Sequence, residues 1–175
     1  MKSLLFLLLL LLPVPSFAAI SYELDIRLYP ARQQLVATAL IDLNDSGESP
    51  LELRLSSRCE IIAVHQGDSP LTYQFAAGIL QFEPRGTDPL RISYRGMFND
   101  QLNETPLHNE NPGYGISGSI STKGSYLSSG VHWYPQLAGK KVNYRISISA
   151  PAGTEAVTSG RRIARKVTNN LSTSV

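Results

Sequence analysis

YELDIRLY, residues 22–29, is the stretch on which the reading of this chain turns. Tyr22, Leu24, Ile26 and Leu28 alternate with Glu23, Asp25, Arg27 and Tyr29. Successive side chains of a strand point to opposite faces, so a period of two lays the apolar set on one half-buried face. Leu35, Ala37, Ala39, Ile41 and Leu43 repeat the pattern. Asn44-Asp45-Ser46-Gly47 then marks a turn.

The same period recurs outward from this pair. Leu51, Leu53 and Leu55 alternate with Glu52, Arg54 and Ser56, and a short strand is predicted from Cys59 to Val64. Tyr73 and Phe75 lead through Ala77-Gly78 into Leu80 and Phe82, a hairpin pattern. Leu90, Ile92 and Tyr94 alternate again, as do Val142, Tyr144, Ile146, Ile148 and Ala150. Glu155 to Lys166 has room for two more short strands split at Ser159-Gly160. Residues 99–118, rich in Asn, Gly and Pro, read as one long irregular loop. Strands every 8 to 12 residues, with no helical period past the N-terminus, predict an all-β fold of antiparallel sandwich or saddle-like sheets.

Composition agrees. The 175 residues suit a single domain, and only 17% of them are charged, which excludes a disordered polyampholyte or a coiled coil. The formal net charge of +2 makes no case for nucleic acid as a partner. Lys2, the apolar run Leu4 to Leu12, then Pro13, Pro15 and Ser16-Phe17-Ala18 have the order of a secretory signal peptide. The expected organisation is a signal over 1–18, one β domain over 19–167, and a frayed or truncated tail over 168–175. The protein is therefore expected to be exported, periplasmic or extracellular, with no membrane contact after cleavage. Cys59, the one cysteine, reads as a buried thiol.

Common catalytic signatures are missing. Gly113, Gly115 and Gly118 match G-x-G-x-x-G but lack the strand and helix that a dinucleotide site needs. His65, His108 and His132 are scattered, H-E-x-x-H does not occur, and no third ligand joins His108 and Glu110. Neither G-x-S-x-G nor S-x-x-K is present. A hydrolase using His132 and a serine would need a geometry that sequence does not disclose. Arg161, Arg162, Arg165 and Lys166 form a basic cluster: a charged edge strand, or a docking patch for an acidic partner.

The densest aromatic segment is YLSSGVHWYP, residues 126–135, holding the only tryptophan, Trp133, between His132 and Tyr134. Such a cluster either closes the sheet or offers a platform to a ligand. Taken with YELDIRL at 22–28, YRISISAPAG at 144–153 and Val157-Thr158-Ser159-Gly160, it resembles the N-terminal β domain of the aminopeptidase-N-like zinc peptidases, closest to divergent bacterial members with a Trp-Tyr-Pro element. The resemblance implies a β-saddle that packs, in cis or in trans, on a catalytic peptidase domain and helps wall a peptide cleft. It implies zinc only in that absent domain, and no cofactor or catalytic residue in this chain. Many members offer a Gln or Glu to the substrate's amino end just before the element matching Tyr134-Pro135. Here Ser128 to Trp133 contains neither, and Gln136 follows the proline. His132, Trp133 and Tyr134 are left as candidate ligand or interface residues. The rival reading is a stand-alone β-sandwich module that binds a glycan or protein through the Trp133 region.

The signal reading has a direct check. N-terminal sequencing of the exported protein is expected to begin at Ala19; an intact Met1 or Lys2 would rule out cleavage.

Overall fold

The computed structural model describes residues 20–43, 49–101, 116–168 and 170–175. The predicted signal, the Asn44–Gly47 turn, His108, Gly113, Gly115 and most of the 99–118 loop lie outside them. Among the described residues the chain is strand and turn, with two single 3-10 turns and no α-helix. The all-β class is as predicted.

The largest sheet has eight strands. β1 (Ile20–Tyr29) pairs antiparallel with β2 (Gln34–Asp42). The two are joined by a 3-10 turn that closes on Gln33, whose φ of 54° lies in the left-handed region. Three short strands, β3 (Leu51–Arg54) and the later hairpin of β6 (Tyr73–Ala76) and β7 (Ile79–Phe82), form a separate sheet in the order β3-β7-β6. β4 (Cys59–Gln66), β5 (Ser69–Pro70) and β8 (Leu90–Met97) return to the large sheet. A two-stranded ribbon follows, β9 (Gly118–Ser121) and β10 (Gly124–Leu127). β11 (Val142–Pro151), β12 (Arg165–Thr168) and β13 (Leu171–Ser174) complete the large sheet, whose order is β12-β13-β11-β1-β2-β8-β4-β5.

Register explains the core. Leu24 stands opposite Ala39 on one side and Ile146 on the other; Ile26 stands between Ala37 and Ile148. Leu35, Ala39, Ile41, Leu90, Ile92 and Tyr94 on the same face are sealed from water, while Glu23, Asp25, Arg91 and Arg95 point out. The three-stranded sheet lays Leu51, Leu53, Leu80 and Phe82 against that face, all buried. Each such side chain contributes about 1.5–3 kcal/mol on burial. Its hairpin turns at Gly78, where φ is +79° and an added Cβ would lie 2.9 Å from the Leu55 carbonyl oxygen, so the predicted Ala77-Gly78 turn requires glycine.

Three features differ from the expectation. β1 and β11 run parallel, the single parallel pair among the described strands. Alternation reports which face is buried but not which way a partner runs. Second, residues 155–164 form no strand, so of the two anticipated near the basic cluster one exists, β12. Third, Leu171–Ser174 is not a frayed end: β13 lies between β12 and β11. Its inward positions are Ser172 and Ser174, both buried, so the strand carries no apolar signature. Asn170, with φ 62°, supports the tight turn before it.

The described ends of the 99–118 segment are held together by one carboxylate. Asp100 Oδ2 accepts hydrogen bonds from the Ser117 and Gly118 amides at 2.9 and 2.8 Å and from Ser117 Oγ at 3.1 Å. Its Oδ1 lies 2.8 Å from Arg58 Nη1. Asn99 also pairs with Ser119. The amide bonds from Gly118 and Ser117, with the Ser117 hydroxyl and Arg58, outweigh partial desolvation and lower the Asp100 pKa from 3.8 to about 2. A depressed carboxylate pKa stabilises the fold above the unfolded value, and that contribution disappears as pH falls through about 2. Asp100→Asn is expected to cost on the order of 1 kcal/mol at pH 7, because the carboxylate is partly solvated and screened. In urea titrations the gap between the two proteins should close as pH falls from about 4 to about 2. A gap independent of pH would contradict this account.

Candidate functional site

The aromatic segment begins where Ser128 leaves β10. The Ser128 amide and hydroxyl both donate to the Ser117 carbonyl, each at 2.9 Å. Ser129 to Val131 makes a 3-10 turn that ends at His132, with φ 51°. That left-handed residue reverses the chain so that its carbonyl accepts from the Ser56 amide at 2.7 Å. Four residues later Gln136 exchanges two backbone hydrogen bonds of 2.8 Å with Arg54. The segment is thereby stitched at both ends, to the last residue of β3 and to Ser56 just past it, with Trp133, Tyr134 and the buried Pro135 between the stitches.

Gln136 also sets the inside of this turn. Its Nε2 donates to the Ser129 carbonyl at 3.3 Å, and its Oε1 lies 2.9 Å from His132 Nδ1. With the amide nitrogen donating to Ser129, the amide oxygen accepts, so Nδ1 of His132 carries the proton. His132 is thus committed on that side to holding the turn. Sequence reasoning set Gln136 aside because it follows the proline; only the i, i+4 spacing across the turn would have drawn attention to it.

Tyr134 is half-buried and packs edge-on against Tyr22, ring centroids 6.4 Å apart, and against Trp133 at 4.7 Å. Burial raises its pKa, and burial likewise pushes Tyr22 up to about 12. Tyr22 accepts a hydrogen bond at its hydroxyl from the Leu137 amide, 3.3 Å away. The two tyrosines therefore anchor the far end of the segment to β1.

Trp133 is half-buried and does not form an open platform. It lies on the wall of a groove of ≈ 760 Å³ along the uncovered end of the large sheet's apolar face. Ile26, Ile146, Ile148 and Leu127 provide the rest of its apolar lining. Residues 154–158 cross over β11 as a strap; Val157 on it is 85% exposed. The strap is held by Tyr144, whose hydroxyl donates to the Ser159 carbonyl at 2.8 Å, and by an Arg162–Glu155 ion pair of 2.7 Å. On its other side a second groove of ≈ 300 Å³ shares Ile146 and Ile148.

The remaining candidates disperse. His65 lies on β4 opposite Pro70 of β5, remote in register from the aromatic segment. Cys59 is buried, and burial pushes its thiol up to about 12, the inert state anticipated from sequence. Arg58, its neighbour, turns the other way to Asp100. Among the described residues no three His, Cys, Asp or Glu side chains gather into a metal site. Arg165 and Lys166 lie on β12, an edge strand as the charge pattern suggested, whereas Arg161 and Arg162 precede it.

Because Gln136 ties His132 and Ser129 together, Gln136→Ala is expected to lower stability by about 1 kcal/mol. It should also shift the emission of Trp133, the single tryptophan, to the red as the turn loosens. Unchanged stability and emission would show that the backbone stitches alone hold the segment.

Compared by sequence, no family model and no curated protein matches the chain. Compared by structure, it is similar to an M1 zinc metallopeptidase from Deinococcus radiodurans in complex with a Tyr-Ser-Ala substrate. The TM-score is 0.61 at 18% identity, over 92% of this chain and 40% of that one. It is similar to yeast LTA4 hydrolase, with a TM-score of 0.55 at 15% identity over 90% of this chain and 26% of the other. It is also similar to Legionella pneumophila aminopeptidase A, with a TM-score of 0.56 at 14% identity over 91% and 20%. The chain thus spans two fifths or less of the proteins it matches. At these identities the likeness is one of fold, shared with part of each M1 zinc metallopeptidase and consistent with the N-terminal β domain that the sequence resemblance implied.

Proposed function

We propose that this chain is a non-catalytic β domain that packs on a zinc-peptidase catalytic domain, in cis or in trans, and helps wall a peptide-binding cleft. The observation that carries the reading is the coverage. A TM-score of 0.61 extends over 92% of this chain but only 40% of a metallopeptidase bound to a Tyr-Ser-Ala substrate. That coverage supports a role beside a further domain. On this reading zinc belongs to the catalytic domain alone, His132, Trp133 and Tyr134 lie at or near the interface, and the protein acts outside the cytoplasm after export.

The purified chain is expected to take up no stoichiometric zinc and to release no product from aminoacyl-p-nitroanilides. Adding a separately produced M1 catalytic domain from the same organism should raise its thermal midpoint and change Trp133 emission. Chelator-sensitive hydrolysis by the chain alone would overturn the non-catalytic assignment. No thermal shift with that domain would overturn the packing role.

The groove beside Trp133 favours a second reading, a stand-alone module that binds a glycan or a protein there. Saturable quenching of Trp133 by an oligosaccharide, with no effect of the catalytic domain, would favour it over the first.

A further inference from the structure

The last 36 residues and the rest of the chain carry opposite net charge. Residues 140–175 hold seven Lys and Arg against one acid, Glu155, for a net of +6. The whole chain is +2, so residues 1–139 are at −4. Four of the seven cations, Arg161, Arg162, Arg165 and Lys166, lie on β12 or just before it, at the outer limit of the large sheet. It is also where apolar side chains are most exposed: Val157, Ile163 at 64% and Val167 at 58%.

β12 ends the sheet, and its pairing settles which of its backbone groups are unused. Ala164 and Val175 exchange two hydrogen bonds, 3.2 Å from the Ala164 amide and 2.9 Å to its carbonyl. Bonded and non-bonded pairs alternate along an antiparallel ladder. The register then makes Lys166–Thr173 and Thr168–Leu171 the bonded pairs, and leaves Arg165 and Val167 with their N–H and C=O groups turned to the open edge. Among the described residues nothing bonds them. Val167 and Arg165 share the face of the strap, and Lys166 projects from the other. Arg165 is held by the Thr154 carbonyl and Ser172 Oγ, while Arg161 and Lys166 are exposed with no ion-pair partner among the described residues.

We infer that the β12 edge is a docking site for an extended acidic segment of a partner protein, which adds as a further strand. The unused amides and carbonyls of Arg165 and Val167 hold its main chain. Val167 and Ile163 receive its apolar side chains, and Arg161 and Lys166 receive its carboxylates. Charge alone would accept any polyanion; the backbone groups are what select an extended peptide. This site is separate from the aromatic segment, so it stands or falls independently of the packing role above.

The probe is a fluorescein-labelled, end-capped octapeptide alternating Glu and Val, followed by fluorescence anisotropy against the full chain. Saturable binding is expected, weakening as salt is raised and by about tenfold in Lys166→Glu or Arg161→Glu. Both side chains are exposed, so both variants should keep the parent thermal midpoint. The same peptide N-methylated at every amide, and a Lys-Val peptide, should not bind. Equal binding of the N-methylated peptide would reduce the site to unspecific charge attraction. Binding of phosphatidylglycerol vesicles with none of the peptide would make it a membrane-facing surface. No binding to either would show that Arg165 and Lys166 only guard the edge. Each of these three outcomes overturns the inference.

Discussion

Everything in this fold depends on keeping one face of the β11-β1-β2-β8 run out of water. Leu24, Ile26, Leu35, Ala39, Ile41, Ile92 and Tyr94 project from it on a strict period of two. A slip of one residue in any pairing would exchange that set for Glu23, Asp25 and Arg91. The face is long, and a single layer cannot cover it. The small three-stranded sheet covers part of it with Leu51, Leu53, Leu80 and Phe82, and the aromatic segment is pinned at its border by hydrogen bonds to Arg54 and Ser56.

What lies beyond that border is covered only in part. The strap at 154–158 crosses the β11 end of the face and leaves a groove on either side. Trp133 closes the inner groove from the side of the aromatic segment, with its ring against Tyr134 and Tyr134 against Tyr22. The incomplete cover is therefore a consequence of sheet width. Eight strands present more apolar face than three short strands, a ribbon and a strap can bury. In the proposed role this residual surface is where a second domain would find purchase.

Polar anchors decide how the irregular parts sit. Asp100 collects the Ser117 and Gly118 amides and Arg58, and so fixes the described ends of the segment leading into β9. Gln136 collects His132 and Ser129. Neither residue belongs to a motif, and both work through single geometrical relations between parts of the chain that alternate poorly or not at all. Tyr94 is different: its hydroxyl is buried without a partner among the described residues, and burial raises its pKa well above the usual phenol range. It contributes as an aromatic wall between Ala37 and Ile61.

Alternation alone determined the β class, the buried face of β1, β2, β3 and β8, the Ala77-Gly78 hairpin and the inertness of Cys59, because each follows from residues within a few positions of one another. The aromatic segment was legible as a dense cluster, and its order relative to the flanking strands carried the resemblance that the fold bears out. Partners are not written locally. That β11 runs parallel to β1, that serines face the core on β13, and that Arg165 sits on an open edge depend on contacts more than a hundred residues apart or on a sheet's outer limit. Only the tertiary structure could decide that Trp133 is a groove wall instead of a free platform, since exposure is set by whatever chain crosses above a residue. The same holds for His132, whose ring is claimed by Gln136 through a turn that no periodicity announces.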